Sequence, residues 1–232
     1  LAEALDELPT TPPTRRAAAD DDLAYVIYTS GTTGAPKGVM VADRSLRAFC
    51  AAVAERYELV PSDRVLQFSS LSFDVSVEEL LPTLWVGATV VLRSEDLSSS
   101  MRSLVEVTER NRLSVLNLPS AIWHALVEHL DDTGDRLAPS VRLVVVGGEK
   151  VNRSSFEVWS RLHPEVRWLN GYGPTETTVT CTTFDPAGSY RVDSGQELPI
   201  GRPLGNARAY VLDSTGSTLV PDGQAGELWI GG

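Results

Sequence analysis

VRLVVVGGE, Val141 to Glu149, is the stretch whose reading decides the fold. Its apolar run from Leu143 to Val146 is continuous rather than alternating, is mostly β-branched, and stops at a glycine pair. A short unbroken apolar run bounded by a turn signal reads as a strand buried on both faces. Strands of that kind belong to parallel sheets covered by helices. Working outward supports this. Downstream, Arg153 to Leu162 has a helical pattern, and VRWLNGYGPTE (Val166 to Glu176) is again a strand running into a loop. Upstream lie a helix at Ser120 to Leu130 opened by a serine, a strand LSVLNLP (Leu113 to Pro119), and an amphipathic helix at Ser98 to Arg112. Further back are a strand ATVVLRS (Ala88 to Ser94), a helical VSVEELLPTLWVG ending at Gly87, and RVLQFSSLSFD (Arg64 to Asp74) as strand and turn. SLRAFCAAVAERY (Ser45 to Tyr57) is a helix with Ser45 as its cap, and LAYVIYTSG (Leu23 to Gly31) reads as a buried strand delivering a loop. Strand and helix alternate regularly, so the expected class is α/β, a mostly parallel sheet covered by helices on both faces.

From about Asp185 the texture changes to short runs separated by Gly, Pro and Asp, which is antiparallel β material with a hairpin near Asp213 to Gly216 and another turn at Pro221 to Gly223. The expected organisation is therefore a linker or truncated preceding subdomain over residues 1–22, an α/β subdomain over 23–185, and the start of a smaller antiparallel β subdomain over 186–232. The Pro- and Ala-rich opening and the final GELWIGG, which stops within a strand-and-turn pattern, both read as cut ends of something longer.

The 232 residues hold 20 basic and 31 acidic side chains, a net charge of -11 that disfavours nucleic acid or an anionic membrane as the main partner. No apolar run reaches the ~18 residues of a membrane-spanning helix, and no basic segment precedes an apolar one at the start, so the default location is cytoplasmic. Cys50 and Cys181 lie far apart without a C-x-x-C or histidine cluster and read as small core residues. His124 and His129 sit five residues apart on one helix, off a common face, and His163 belongs to a helix-ending turn, so the histidines look structural.

Ligands of an open parallel sheet bind outside the carboxyl ends of its strands. Four inferred strands end in polar or glycine-rich loops: Thr29 to Gly38, Ser72 to Ser76, Gly147 to Lys150 and Asn170 to Thr178. The first, within YTSGTTGAPKGV (Tyr28 to Val39), has the hydroxyls, glycines and lysine of a phosphate grip. It is not a P-loop, because Pro36 stands where the second glycine should be and Gly38 where a magnesium-holding hydroxyl should follow Lys37. In the last loop Tyr172 can stack on a base, Gly171 and Gly173 permit close approach, Thr175 can donate to a phosphate and Glu176 suits magnesium. A tight turn at Tyr172 to Pro174 with Glu176 starting a helix is the plain alternative.

YTSGTTGAPKGV, FDVSVEEL, NGYGPTETT and GELWIGG, in this order and at these separations, resemble the amino-acid-activating adenylation domains of nonribosomal peptide synthetases, within the acyl-adenylate-forming superfamily. The resemblance covers Leu23 to Gly232. It implies a two-step reaction: an amino acid and Mg-ATP give an aminoacyl-adenylate and pyrophosphate, and the acyl group then passes to the phosphopantetheine thiol of a peptidyl carrier domain in an assembly line that also holds condensation domains. It further implies that Thr29, Ser30, Gly31, Thr32, Thr33, Gly34 and Lys37 form a mobile loop over the β- and γ-phosphates. Gly148 and Glu149 would flank the adenine, Tyr172 would stack on it, and Asn170, Gly171 and Gly173 would belong to the same nucleotide site. Thr175 would contact the α-phosphate and Glu176 hold magnesium, so that Lys37, Thr175 and Glu176 are the implied catalytic residues.

The resemblance also assigns a substrate pocket to Asp74, Val75, Glu78, Asn117, Val145, Gly147, Gly171, Val179 and Thr180. Asp74 would pair with the substrate α-ammonium, although taken alone it reads equally as a helix N-cap. Glu78 is the informative member. A carboxylate on a pocket wall is costly to desolvate unless paired, which favours a cationic side chain such as that of ornithine, lysine or an arginine-like residue, with Asn117 adding a neutral hydrogen-bonding partner. The alternative for Glu78 is a solvent-facing position beside Glu79. The family's Glu-His-Arg after the lysine loop is here Ala42-Asp43-Arg44. Its ribose-binding aspartate and small C-terminal domain lie outside this sequence, so the chain alone is expected to adenylate poorly or not at all. An isolated substrate- and nucleotide-binding module and a fragment of an acyl-CoA or aryl acid ligase remain the other readings.

Overall fold

The computed structural model of the protein describes residues 11, 19–30, 34–93, 100–187, 196–205 and 207–232. Along the chain run β1 (Leu23–Thr29), β2 (Lys37–Ala42), α1 (Asp43–Arg56), β3 (Arg64–Gln67), α2 (Val75–Trp85), β4 (Thr89–Leu92), α3 (Met101–Arg110), β5 (Val115–Pro119), α4 (Ser120–Thr133), β6 (Leu143–Gly147), α5 (Arg153–Leu162) and β7 (Arg167–Tyr172). A 3-10 turn (Thr175–Thr177), β8 (Thr182–Phe184), β9 (Arg202–Pro203), β10 (Arg208–Leu212) and β11 (Glu227–Gly231) follow.

One sheet has seven strands in the order β4-β3-β5-β6-β7-β8-β9. Its first five strands are mutually parallel, and β8 and β9 extend it antiparallel. Successive strand residues point to opposite faces, and two apolar clusters follow that alternation. Leu116, Leu118, Val144, Val146 and Trp168 pack with Trp123, Leu126 and Leu130 of α4, Trp159 of α5 and Leu104 of α3. Val115, Leu143, Val145 and Leu169 face the other way, onto Phe49 and Val53 of α1 and Val75 and Val77 of α2. The α/β class with helices on both faces thus holds. α4 illustrates the local logic: Trp123, Leu126, Val127 and Leu130 recur at helical spacing and are buried, and Gly134 ends the helix in a left-handed turn with φ 75°.

At the amino ends of the parallel strands Asp63 is clamped. Arg142 donates to it through Nε at 2.9 Å and Nη2 at 2.6 Å, Ser114 Oγ donates at 2.7 Å, and the Val60 amide at 2.9 Å. Arg142 also donates to the Tyr57 carbonyl at 3.1 Å and the Glu58 carbonyl at 2.9 Å. Burial alone would raise the Asp63 pKa, but these hydrogen bonds and the guanidinium charge outweigh it and hold the carboxyl below its usual range.

Three details depart from the sequence expectation. β1 is not a buried member of the parallel sheet. It pairs antiparallel with β2, from Thr29 opposite Lys37 to Leu23 opposite Ala42, in a separate two-stranded sheet, and Tyr28 is 70% exposed. The β-rich run of β1 suits a hairpin arm as well as a buried strand, and KGVMVA (Lys37 to Ala42), of which only the first residues belong to the loop motif, supplies the partner. β8 has no counterpart in the sequence reading. α1 begins at Asp43 with Ala42 in the N-cap position, so Ser45 is not its cap. The expected hairpin near Asp213, closed by the bridge from Leu212 to Leu219, and the turn at Pro221 are both present between β10 and β11. Among the described residues, no helix is long and apolar enough to cross a membrane.

Candidate functional site

In β5, β6 and β7, Asn117 lies opposite Val145, and Gly147 opposite both Pro119 and Gly171. Period-two alternation puts Asn117, Val145, Gly147 and Gly171 on one face at the carboxyl ends of the strands. α2 brings Asp74, Val75 and Glu78 over that face, and the segment after the 3-10 turn brings Val179 and Thr180. All nine line a single cavity of about 590 Å³, a size suited to a small-molecule ligand. Glycine is required at 147, where a Cβ would come within 2.8 Å of the Gly171 carbonyl oxygen.

Asp74 occupies the N-cap position of α2, yet its side chain makes no capping hydrogen bond. Asp74 lines the cavity, and no hydrogen bond commits its carboxylate to the helix end. Glu78 is 3% exposed, so the solvent-facing alternative does not hold. The Tyr57 hydroxyl and Asn117 Nδ2, the latter at 3.0 Å, donate to its Oε1, and the Thr180 hydroxyl donates to Oε2 at 2.7 Å. Burial raises the Glu78 pKa, the three donors oppose that rise, and the Asp74 charge adds to it. Glu79 is buried as well. It accepts from the Phe68 amide at 3.1 Å and the Ser69 amide at 3.1 Å, and burial is the main reason its pKa rises to about 7. The two adjacent glutamates thus have different tasks: Glu78 forms cavity wall, and Glu79 pins the loop that leaves β3.

Gly148, Glu149, Gly173 and Thr175 line the same cavity. The buried Ser120 fixes the Gly147 to Glu149 turn, with its hydroxyl 3.0 Å from the Gly147 carbonyl and 2.8 Å from that of Glu149. Two other members of the nucleotide set do not line this cavity. Asn170 is buried with its amide donating to the Pro199 carbonyl at 2.8 Å, and Tyr172 is 40% exposed at the rim, neither being a cavity-lining residue. The exposed Glu176 borders a neighbouring cavity of about 250 Å³ next to α1, with Thr177 and Thr178. Thr178 and Val179 both have left-handed backbones, with φ 65° and 64°. Thr29 and Lys37 pair across the β1–β2 hairpin, whose second strand packs on the 3-10 turn, and Ser30, Gly34 and Lys37 are exposed. Gly31, Thr32 and Thr33 lie outside the described residues.

The model of the AMP-binding enzyme family matches residues 2–232. The chain belongs to this family. It is 42% identical over 204 residues to the isonitrile lipopeptide synthase of Streptomyces coeruleorubidus, covering 88% of this chain and 14% of that protein. It is 36% identical over 213 residues to the dimodular nonribosomal peptide synthase of Bacillus subtilis (strain 168), covering 91% of this chain and 8% of that one. Among solved structures, the nonribosomal peptide synthetase FmoA3 (S1046A) in its α-methyl-L-serine-AMP bound form is similar at 31% identity and TM-score 0.80, over 91% of this chain and 23% of that chain. Its AMPPNP-bound form is similar at TM-score 0.79, over 90% of this chain and 22% of that chain. This AMP-binding chain therefore spans a small part of the length of the synthetases it matches.

Within this AMP-binding enzyme chain, sequence reading passes over three residues that shape the site: Tyr57, Glu79 and Ser120. Tyr57 fills an apolar slot at a helix end and Ser120 a helix start, so periodicity explains both without reference to the cavity. Glu79 carries no local signal either, because consecutive helix residues project about 100° apart and the position of Glu78 does not say whether its neighbour meets backbone or water. The histidines are structural. The His124 ring accepts from the Asn152 amide at 3.0 Å, His129 meets Asp135 at 3.0 Å, and His163 is buried. Cys50 and Cys181 are buried free thiols.

Proposed function

We propose that this chain is the amino-acid-activating core of a nonribosomal peptide synthetase adenylation domain and that it selects a basic amino acid such as ornithine or lysine. The observation that carries the reading is a pair of carboxylates on one cavity: Asp74, free of its helix, and Glu78, buried among donors that are all neutral. A desolvated carboxylate held by neutral donors alone gains most from a cation brought by the ligand. Asp74 pairs with the α-ammonium and Glu78 with the side-chain cation.

AMPPNP and α-methyl-L-serine-AMP bound to FmoA3 support ATP and an aminoacyl-adenylate as ligands here. The amino-acid carboxylate attacks the α-phosphorus, pyrophosphate leaves, and the phosphopantetheine thiolate of a carrier domain then takes the acyl group with release of AMP. Thr175 lies beside the α-phosphate, and Gly148, Glu149, Gly171, Gly173 and Tyr172 surround the adenine, with Asn170 bracing that loop through the Pro199 carbonyl. Thr29 to Gly34 and Lys37 approach the outer phosphates from the hairpin. The exposed Glu176, with no cluster of three or more acids or histidines among the described residues, suits magnesium, an ion that takes most of its ligands from phosphates and water. When bound, that ion supplies charge neutralisation at the phosphates.

ATP–pyrophosphate exchange, measured with an amino-acid panel in a complete adenylation domain carrying this sequence, tests the reading. Ornithine or lysine should lead the panel, and a lead by leucine or phenylalanine ends the basic-substrate assignment. Asp74→Ala should cut exchange about a hundredfold, in line with a lost charged hydrogen bond. Unchanged exchange in that variant would favour an acyl-CoA or aryl acid ligase.

A further inference from the structure

We infer that Tyr57 is a positioning residue for substrate selection: from behind the cavity wall its hydroxyl holds the Glu78 carboxylate so that one lone pair of Oε2 stays open to the substrate's side-chain cation. The inference rests on the reading that the cavity takes a basic amino acid.

Tyr57 directly follows α1, is 3% exposed, and does not line the cavity. Its ring belongs to the apolar cluster of Val65, Val115 and Leu143. Both ends of the residue are tied down. Its carbonyl accepts from Arg142 at 3.1 Å, and its hydroxyl donates to Glu78 Oε1. A residue needed only to fill this apolar position would be served by phenylalanine, since a buried hydroxyl is unfavourable without a partner. A carboxylate offers about four lone-pair sites. Tyr57 and Asn117 take both sites on Oε1, and Thr180 takes one on Oε2. The remaining Oε2 site is the place for a ligand N–H, and it keeps that direction only while Oε1 is held.

The hydroxyl also works against the groups that disfavour charge on Glu78. Asp74 at the start of α2 and Glu79 next in the chain are both acidic neighbours. Arg56, in the last turn of α1, acts on Tyr57, while Arg93 at the cavity edge is held by the Phe68 carbonyl at 3.2 Å. Burial and the Glu78 charge raise the Tyr57 pKa well above its ordinary value, so the phenol stays protonated and remains a donor.

The test is calorimetric binding of two stable sulfamoyl-adenylate analogues, ornithyl and leucyl, to the full chain from acidic to alkaline pH. In the wild type the ornithyl analogue should bind more tightly; if it does not, the basic-substrate reading falls and takes this inference with it. Tyr57→Phe should weaken the ornithyl analogue about tenfold and leave the leucyl analogue within about twofold. It should also move the pH at which ornithyl binding levels off upward, because a lost donor makes Glu78 harder to ionise. Replacement of Tyr57 by 3-fluorotyrosine, a stronger donor of nearly the same size, should move that pH downward, and it keeps the test open if the phenylalanine variant does not fold. A wild-type ornithyl preference combined with equal weakening of both analogues by Tyr57→Phe would reduce Tyr57 to core packing. So would a pH dependence unmoved by 3-fluorotyrosine.

Discussion

Gly173 and Val179 define the tightest point of the site. A Cβ at position 173 would lie 1.8 Å from the Val179 carbonyl oxygen and 2.8 Å from the Cys181 amide nitrogen. Across from it, Thr178 and Val179 hold left-handed backbones, a conformation that costs an L-residue roughly 1–2 kcal/mol and is rare for a β-branched one. Such strain persists only where the surroundings enforce it, and here it turns Val179 and Thr180 toward the cavity. Gly173→Ala should therefore displace residues 179–181, lowering stability by about 2 kcal/mol or more in thermal unfolding and weakening adenylate-analogue binding. At this scale the sequence is partly legible. The polar and glycine positions of the cavity come from ordered motifs, and strand alternation accounts for why Asn117, Val145, Gly147 and Gly171 share a face. The bond from Tyr57 to Glu78 does not come from any spacing, because it joins residues 21 apart on different elements. Likewise, the outward turn of Asn170 follows from its alternation with Gly171, which motif reading ignores.

Among the elements, α2 concentrates the chemistry, with Asp74 at its start, Glu78 on the cavity side and Glu79 on the loop side. Pro82 lies inside it, so the Glu78 carbonyl, four residues earlier, lacks its usual helical amide donor, while Thr83 Oγ1 donates to the Glu79 carbonyl at 2.6 Å. Glu79 makes this element pH-sensitive. Its folded pKa of about 7 lies above its ordinary 4.5, so the folded state holds the proton more tightly. The contribution is complete below the ordinary value and is lost as pH rises through about 7, a difference of roughly 3 kcal/mol. Denaturant unfolding of Glu79→Gln across that window should show a flatter stability profile than the wild type. α2 is anticipated by its apolar periodicity despite the internal proline. β1 is misjudged for the opposite reason: its residue types say strand, and no local pattern says which sheet.

Over the whole molecule, the seven-stranded sheet is stapled at its amino ends by Asp63 and Arg142, residues that precede β3 and β6. Arg142→Met should cost about 2 kcal/mol in chemical unfolding, less than a fully buried pair because the Arg142 side chain is 34% exposed. Asp63 is held below its ordinary pKa, so its contribution is present above the unfolded value and lost as pH falls through the folded one. The variant should therefore lose less of its stability on acidification. The same clamp grips the Tyr57 carbonyl, which ties the residue behind Glu78 to the amino ends of the strands. The β1–β2 hairpin differs in kind, because its ladder is closed within itself and shares no strand with the seven-stranded sheet. It can consequently open as a cooperative unit of its own. In native-state hydrogen exchange, amides of Val39 and Val41 should become accessible at a lower free energy than those of Val144 and Val146, so that the arm bearing Thr29 and Lys37 swings without loosening the cavity floor.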